Sequence, residues 1–168
     1  MTLHENLADY KIAKKDLVLA TDLDGTFLGG TDDERKQFYA WVESNRDRVG
    51  LIFVTGRDTG FIRDITRTQG VPRPDFVVAD VGTTIAEMDY RHMLSPIDAL
   101  EAEISEAWNN ANDRVLRALH NAPGLTVQST MFRHRVSYDM APDEFDPKAV
   151  DTIEDLGLDV LISDNKFF

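Results

Sequence analysis

The stretch LVLATDLDGTFLGG, residues Leu17–Gly30, indicates the fold more clearly than any other part of the chain. Five residues, apolar or small apart from Thr21, lead into Asp22, and a second acid, Asp24, follows two positions later. A nearly continuous apolar run is typical of a strand that is buried in a parallel sheet. We therefore predict a buried strand over Leu17–Asp22 that ends in two carboxylates.

Helices and strands alternate after this strand. Thr31 and Glu34 form a capping box, which predicts a helix through about Ser44. Three further segments continue the pattern, namely the strand VGLIFVTG, the helix DTGFIRDITRTQ and the strand DFVVADVGTTI. This alternation is typical of parallel βαβ units. The sequence thus predicts an α/β fold with a Rossmann-like parallel-sheet core over residues 1–86.

The pattern changes near Ile85–Tyr90. Apolar residues at intervals of three and four predict one long amphipathic helix with Ser95 as N-cap and Pro96 at its first position, ending near His120. The segment LTVQSTMFRHRVSYDMA alternates as strands would, with a hairpin turn near Met131, and it is followed by the helix DPKAVDTIEDLG and the strand LDVLISD. We therefore predict an inserted α+β cap domain over residues 87–168.

Composition excludes several classes of partner. The 168 residues contain 18 Lys and Arg against 30 Asp and Glu, a net charge of -12, which argues against nucleic acid as a partner. Cysteine is absent, and no apolar run approaches the roughly 20 residues of a membrane span. The N-terminus lacks the apolar segment of a secretory signal, so a cytoplasmic protein is expected. The acidic balance repels anionic substrates, so an anion site needs a local cation or a metal.

The two carboxylates of the first motif predict a catalytic metal site. In parallel sheets ligands bind at the carboxyl ends of the strands, and extended residues two apart point to the same side. Asp22 and Asp24 therefore converge on one point, where Mg²⁺ would explain their proximity. One carboxylate would attack phosphorus and the other would transfer protons, with Gly25 turning the chain away. The alternative is a solvated acidic turn; an EF-hand is disfavoured because Thr26 stands where a ligand is needed.

The second strand ends in Thr55, Gly56 and Arg57. A neighbouring parallel strand would deliver these residues beside Asp22. A hydroxyl, a backbone N–H and the start of a helix would then form a phosphate cradle. The alternative for this tripeptide alone is an ordinary strand-to-helix turn.

Together the motifs resemble a known family. LATDLDGTFL followed by LIFVTGR is similar to the haloacid dehalogenase superfamily of phosphatases. VVADVGTTI resembles the third strand of the sucrose-phosphate phosphatase-like branch, which includes phosphatases of mannosylfructose phosphate and inserts an α+β cap after this strand. The resemblance extends over nearly the whole chain, strongly at the first two motifs and loosely in the cap.

The resemblance implies a role for each matched residue. Asp22 would be the nucleophile, Asp24 the general acid and base, and Thr55 the phosphate-binding hydroxyl. Mg²⁺ would be held by the Asp22 carboxylate and the Asp24 backbone carbonyl. The substrate would be a small-molecule sugar phosphate, such as sucrose phosphate or mannosylfructose phosphate. Residues of the cap would recognise its sugar.

Arg135 in the segment RVSY is the cap residue for which such a role is expected. Strand alternation would place Arg133 and Arg135 on one face and His134 on the other. The alternative is a solvent-facing strand edge, where basic residues discourage aggregation. Asp80 and Thr83 either border the substrate site or shape a turn.

The family pattern also requires a phosphate-neutralising Lys and further acidic metal ligands after the cap. The sequence ends at LISDNKFF, and Lys166 is better interpreted as a solvated loop charge. The chain thus resembles the first two-thirds of a phosphatase, and the 168 residues alone are expected to be a poor catalyst. The alternative function is a non-catalytic Mg²⁺-binding or phospho-accepting module, or an inactive fragment of such a phosphatase. The oligomeric state is not predicted.

Overall fold

The computed structural model describes residues 10–130 and 132–168. The chain divides into two compact units between Glu101 and Ala102. The regular elements of the N-terminal unit are β1 (Leu17–Thr21), α1 (Asp32–Ser44), β2 (Val49–Val54), α2 (Thr59–Thr68), β3 (Phe76–Ala79), β4 (Thr84–Met88) and β5 (Leu94–Pro96). The predicted boundary after residue 86 lies earlier in the chain than this division, because β4 and β5 extend the same sheet instead of starting a new unit.

The sheet of the N-terminal unit has the order β1-β2-β3-β4-β5. The first three strands are parallel, with Thr21 paired to Phe53 and Val54 paired to Val78. Strands β4 and β5 are antiparallel to their neighbours. The prediction of an α/β core with a parallel sheet is confirmed, with the addition of an antiparallel edge.

The core of this unit lies around β2. Leu51 and Phe53 of β2 have no exposed surface, and residues of both helices, such as Val42 and Ile62, are equally buried. Strand β1 differs from its prediction, since Leu17 is 51% exposed although the strand was expected to be buried. The reason is its place at the edge of the sheet, where β2 is its partner on one side and the described residues provide none on the other.

Helix α1 begins as the sequence predicts. The Glu34 backbone N–H donates to Thr31 Oγ1 at 3.3 Å, and the Thr31 backbone N–H donates to Glu34 Oε2 at 2.8 Å. This reciprocal pair satisfies two backbone donors that a helix start otherwise leaves without partners. The helix ends at Ser44, the predicted residue.

The C-terminal unit contains a small sheet and short helices. Its elements are the end of α3 (Asp98–Trp108), then α4 (Asn112–Ala118), β6 (Leu125–Val127), β7 (Tyr138–Met140), α5 (Lys148–Glu154), β8 (Ile162–Ser163) and β9 (Lys166–Phe167). The strands pair antiparallel in the order β6-β7-β9-β8. Apolar residues of α4, α5 and the sheet, including Val115, Ile153 and Phe167, form a separate core. This is the α+β unit that the sequence predicts.

The long predicted helix is wrong in two places. Ser95 and Pro96 belong to β5 and pair with Glu87 and Ala86, so the helix begins at Asp98 instead. It then breaks at Asn109–Asn110, whose φ angles are 48° and 52°. Asn adopts this left-handed conformation more readily than most residues, which explains why the apolar period continues while the helix does not.

The predicted strand around Arg135 is also wrong. Strands β6 and β7 pair as a hairpin would, but Arg133, His134 and Arg135 lie in the irregular segment between them, and Met131 lies outside the described residues. The predicted strand LDVLISD is shortened to β8, which turns into β9 through Asp164–Asn165 with positive φ angles, as two-residue hairpin loops require. None of the helices in residues 10–130 and 132–168 is long and apolar enough to cross a bilayer.

Candidate active site

The two sequence motifs meet at the carboxyl ends of the parallel strands in the N-terminal sheet. Thr21 of β1 pairs with Phe53 of the parallel strand β2. Asp22 follows directly after β1, and Thr55 follows directly after β2. The prediction that neighbouring parallel strands bring the motifs together is therefore confirmed. Open parallel sheets bind their ligands at these carboxyl ends of the strands.

The loop after β1 presents acids and buries apolar side chains. Leu23 and Phe27 are buried, whereas Asp22 and Asp24 are exposed. The Phe27 backbone N–H donates to the Asp22 carbonyl at 3.2 Å, which closes the loop, and Gly25 adopts a φ of 70°. Because this φ favours glycine, the predicted turning role of Gly25 is confirmed.

Asp24 and Arg57 form a bidentate ion pair that joins the two loops. Arg57 Nε donates to Asp24 Oδ2 at 2.8 Å, and Arg57 Nη2 donates to Asp24 Oδ1 at 2.9 Å. These hydrogen bonds hold the pKa of the Asp24 carboxyl below its usual value and raise the pKa of Arg57. The two side chains are 52% and 50% exposed, so solvent weakens the pair and an incoming ligand has access to it.

Thr55 is buried and partly engaged. Its backbone N–H donates to the Val78 carbonyl at 2.9 Å, and its Oγ1 accepts from the Arg57 backbone N–H at 3.2 Å. The hydroxyl hydrogen is not needed for either bond and is available to a ligand. Gly56 is exposed, and a Cβ there would meet Val81 Cγ2 at 3.7 Å, an ordinary contact, so space alone does not require glycine.

The start of α2 is less open to phosphate than the sequence indicates. Asp58 is the N-cap, and its Oδ1 accepts from the Phe61 backbone N–H at 2.9 Å. A helix N-terminus attracts anions through such free N–H groups, and here the chain supplies its own anion. Of the predicted phosphate cradle, Thr55, Gly56 and Arg57 remain as candidates.

Asp80 lies where β3 ends, beside the same loops. Its backbone N–H donates to the Arg57 carbonyl at 3.0 Å, and its Oδ2 accepts from Thr84 Oγ1 at 2.6 Å. Asp80 and Val81 have φ angles of 54° and 58°, and such a value is strained for a β-branched residue. Asp80 Oδ1 is buried without a hydrogen-bond partner among the described residues. The turn role predicted for Thr83 is evident, since its Oγ1 donates to the Asp80 carbonyl at 2.8 Å.

The two cap residues singled out by sequence are engaged within the C-terminal unit. Arg135 is buried, its guanidinium carbon lies 3.3 Å from the centre of the Phe132 ring, and its Nη1 donates to the Ser137 hydroxyl. Lys166 forms an ion pair with Asp139. The substrate-binding role of Arg135 stays a prediction.

The residues after β1 fit a Mg²⁺ ion, although within residues 10–130 and 132–168 no group of three or more acidic or histidine side chains is positioned to hold a metal. The carboxylate of Asp22 is exposed, and that of Asp24 is committed to Arg57. Mg²⁺ usually takes one or two protein carboxylates and completes its shell with water and substrate phosphate. Asp22 and the Asp24 carbonyl are oxygen donors of the required kind.

Comparisons with known proteins agree with the fold and the motifs. The sequence model of the family described as sucrose-6F-phosphate phosphohydrolase matches residues 15–167. Glucosylglycerol-phosphate synthase of Pseudomonas anguilliseptica is 31% identical over 152 residues, which cover 90% of this chain and 19% of that protein. Sucrose-phosphatase 1 of Nicotiana tabacum is 30% identical over 159 residues, which cover 87% of this chain and 35% of that protein.

A solved structure shows the same fold. The sucrose-phosphatase from Synechocystis, determined in complex with sucrose and phosphate, superposes with a TM-score of 0.74 at 22% identity. The match covers 91% of this chain and 62% of that one. This chain thus spans between about a fifth and about a third of the length of the two curated relatives described above.

Proposed function

The chain belongs to the sucrose-6F-phosphate phosphohydrolase family, within the haloacid dehalogenase superfamily, and on that premise we propose that it hydrolyses a sugar phosphate with the help of Mg²⁺. The observation that supports this proposal most is the meeting of the two motifs. Exposed Asp22, the Asp24–Arg57 pair and the Thr55 hydroxyl lie after neighbouring parallel strands. This set contains a nucleophile, a proton carrier and two donors for phosphate oxygens.

The reaction that this set supports has two steps. In the first, a carboxylate oxygen of Asp22 attacks phosphorus, the bond from phosphorus to the sugar oxygen breaks, and Asp24 gives that oxygen a proton. In the second, water attacks the phosphorus of the aspartyl phosphate while Asp24 takes the proton from the water. Inorganic phosphate leaves and the Asp22 carboxylate is restored. Mg²⁺, held by Asp22 and the Asp24 carbonyl, would offset the charge of the phosphoryl group.

Arg57 connects substrate binding to the proton transfer. While Arg57 binds Asp24, the pKa of Asp24 is lowered, which opposes its service as an acid. A phosphate group matches the guanidinium fork as well as a carboxylate does. We expect the substrate phosphate to take Arg57 away from Asp24, so that Asp24 accepts a proton when substrate is present. Substrate arrival and acid activation are then the same event.

The proposal is tested by replacing the nucleophile. Asp22→Asn keeps the shape of the side chain and removes the attacking charge, so hydrolysis of sucrose phosphate and mannosylfructose phosphate should fall by about 10⁴-fold or more. Asp33→Asn is the matched control, because Asp33 is an exposed acid in the first turn of α1. Near-normal turnover by Asp22→Asn, or an equal loss in Asp33→Asn, would show that Asp22 is not the nucleophile.

A second candidate function is a phospho-accepting module that does not turn over. It is favoured by Lys166, whose charge is already engaged by Asp139 within the C-terminal unit. In that case a phosphoryl donor would label the protein once and the label would persist. Repeated release of inorganic phosphate distinguishes the enzyme from the module.

A further inference from the structure

A cavity lies at the end of the parallel strands opposite the candidate active site. It has a volume of about 530 Å³ and belongs wholly to the N-terminal unit. Its lining includes Lys15, Arg46 and Arg73, which precede β1, β2 and β3 respectively. The candidate active site follows the carboxyl ends of these strands, so this cavity is a separate place on the molecule.

The cavity is basic although the protein is acidic. Lys11, Lys15, Arg46 and Arg73 line it together with two acids, Glu43 and Asp75, which gives the lining a net charge of +2 in a chain of net charge -12. A cavity with a net positive charge concentrates small anions, even in a protein whose total charge is negative.

The two acids are both engaged by one of the cations. Arg46 Nη2 lies 3.4 Å from Glu43 Oε1, and Arg46 Nη1 lies 3.7 Å from Asp75 Oδ2. Asp75 Oδ2 also accepts from the Leu51 backbone N–H at 2.8 Å. Neither carboxylate is therefore committed to the remaining cations of the cavity.

Two of the remaining cations, Lys15 and Arg73, donate to backbone carbonyls. Lys15 Nζ donates to the Arg46 carbonyl, and Arg73 Nη1 donates to the Met88 carbonyl at 2.6 Å. Within residues 10–130 and 132–168, Lys11, Lys15 and Arg73 have no carboxylate at ion-pair distance. Among the described residues, three positive charges thus line one cavity without an ion-pair partner, and a guanidinium and two ammonium groups retain donors for a ligand.

The short segment that carries the lysines is packed on the sheet. They flank or belong to a short 3₁₀ helix, Lys11–Lys14, whose Ile12 packs on Gly50 of β2 so closely that a Cβ at Gly50 would lie 2.5 Å from Ile12 Cγ1. On the other side, His92 Nδ1 lies 3.0 Å from Thr66 Oγ1, and both residues line the cavity as further polar groups. Packing of this segment lowers the ordering cost of binding an anion, although the exposed side chain of Lys11 still has to be ordered.

We propose that this cavity binds a small anion that carries a phosphate group. Guanidinium and ammonium groups form short, charge-assisted hydrogen bonds to phosphate oxygens, and a dianion matches the net charge of the lining. The volume is within the usual range of small-molecule sites and leaves room beyond the phosphate itself. Free phosphate and a phosphorylated metabolite share this chemistry. The inference does not depend on the proposed catalytic function.

The test measures phosphate binding separately at this cavity and at the candidate active site. Inorganic phosphate is titrated into the ¹⁵N-labelled protein without Mg²⁺ at physiological ionic strength, and the backbone amide signals are recorded by NMR. We expect saturable shifts at Lys11, Lys15 and Arg73 with half-saturation at or below about 1 mM. A parallel titration with a sugar phosphonate, which resists hydrolysis, shows which source binds more tightly. Shifts confined to Thr55–Arg57 in both titrations, or no saturation, would overturn the proposal.

Charge variants then identify the ligands. Lys11→Gln and Arg73→Gln should each weaken phosphate binding at this cavity about tenfold, and Lys36→Gln, which removes an equally positive side chain from the exposed face of α1, should not. Arg73 donates to the Met88 carbonyl, so thermal unfolding checks that its variant is folded. Lys11 is exposed, so its replacement should leave the fold unchanged. If Lys11→Gln binds phosphate as tightly as the unaltered protein, the assignment is wrong.

Discussion

Strand β2 is buried over most of its length, whereas β1 is largely exposed, although the two sequences are similarly apolar. Leu51 of β2 has no exposed surface and Leu17 of β1 is half exposed. The residues that follow the strands differ in the same sense, since the acids after β1 are exposed and Thr55 after β2 is buried. A strand's neighbours thus determine its burial, and the acids proposed to react follow the less buried strand.

The largest expected effect concerns the acids after β1. Asp24→Asn should slow hydrolysis by about 10²- to 10⁴-fold, the usual range for the loss of a general acid or base, while Mg²⁺ binding persists because the backbone carbonyl is unchanged. Steady-state kinetics and a Mg²⁺ titration measure the two quantities. Complete loss of Mg²⁺ affinity in a folded variant would show instead that the side chain holds the metal.

The difference in burial predicts a difference in stability between matched substitutions. Leu51→Ala in β2 should lower the free energy of unfolding by about 2–5 kcal/mol, because it leaves a cavity in the core. Leu17→Ala in β1 should change it by no more than about 0.5 kcal/mol, as is usual for surface positions. Urea unfolding of both variants measures the contrast. Equal losses would mean that β1 is covered in the protein in solution.

The end of β2 is expected to contribute to substrate binding through one hydroxyl. Thr55→Val keeps the shape and removes the donor, so kcat/KM should fall about 10- to 100-fold, the worth of one hydrogen bond to a charged group. Thr68→Val is the control, since its hydroxyl bonds to the Asp64 carbonyl within α2. Equal activity of Thr55→Val and the unaltered protein would remove Thr55 from the phosphate site.

The smallest expected effect concerns the Asp24–Arg57 ion pair, which joins the loop after β1 to the loop after β2. The folded-state pKa of Asp24 is lowered, so the pair stabilises the fold above the unfolded pKa of about 3.9, and this contribution disappears as pH falls through the lower folded value. Because both side chains are half exposed, its size is about 0–1 kcal/mol.

Urea unfolding of the unaltered protein and of Arg57→Gln should therefore differ slightly at neutral pH and converge in acid. Arg48→Gln, which breaks the exposed Arg48–Asp16 pair away from this site, shows how much any surface ion pair contributes. A difference for Arg57→Gln that grows as the pH falls would contradict the assignment of the pair to an ionised Asp24.

Local signals in the sequence predicted local features of the structure. The capping box of Thr31 and Glu34 and the turn at Gly25 depend on residues within one turn of each other, and both were found as expected. The approach of the two motifs was predictable because parallel βαβ units place successive strands side by side. The break at Asn109–Asn110 was missed because apolar spacing continues through it, although paired asparagines were a visible signal.

Features that depend on distant residues could not be predicted in this way. The exposure of Leu17 follows from the order of the strands in the sheet, which an apolar run does not specify. The bidentate pair of Arg57 with Asp24 and the cap of α2 by Asp58 depend on side-chain geometry. Both change the candidate site, because the first lowers the pKa of Asp24, the proposed proton carrier, and the second occupies a helix start that was expected to bind phosphate.

The most direct test of the central claim is whether Asp22 becomes phosphorylated during turnover. The Asp24→Asn variant, in which hydrolysis of the aspartyl phosphate should be slow, is mixed with Mg²⁺ and sucrose phosphate, quenched in acid and digested, and its peptides are examined by mass spectrometry. We predict one phosphoryl group on Asp22 and none in the Asp22→Asn variant. Hydrolysis of the substrate without a phosphoryl group on Asp22, or with one on another residue, would contradict the account.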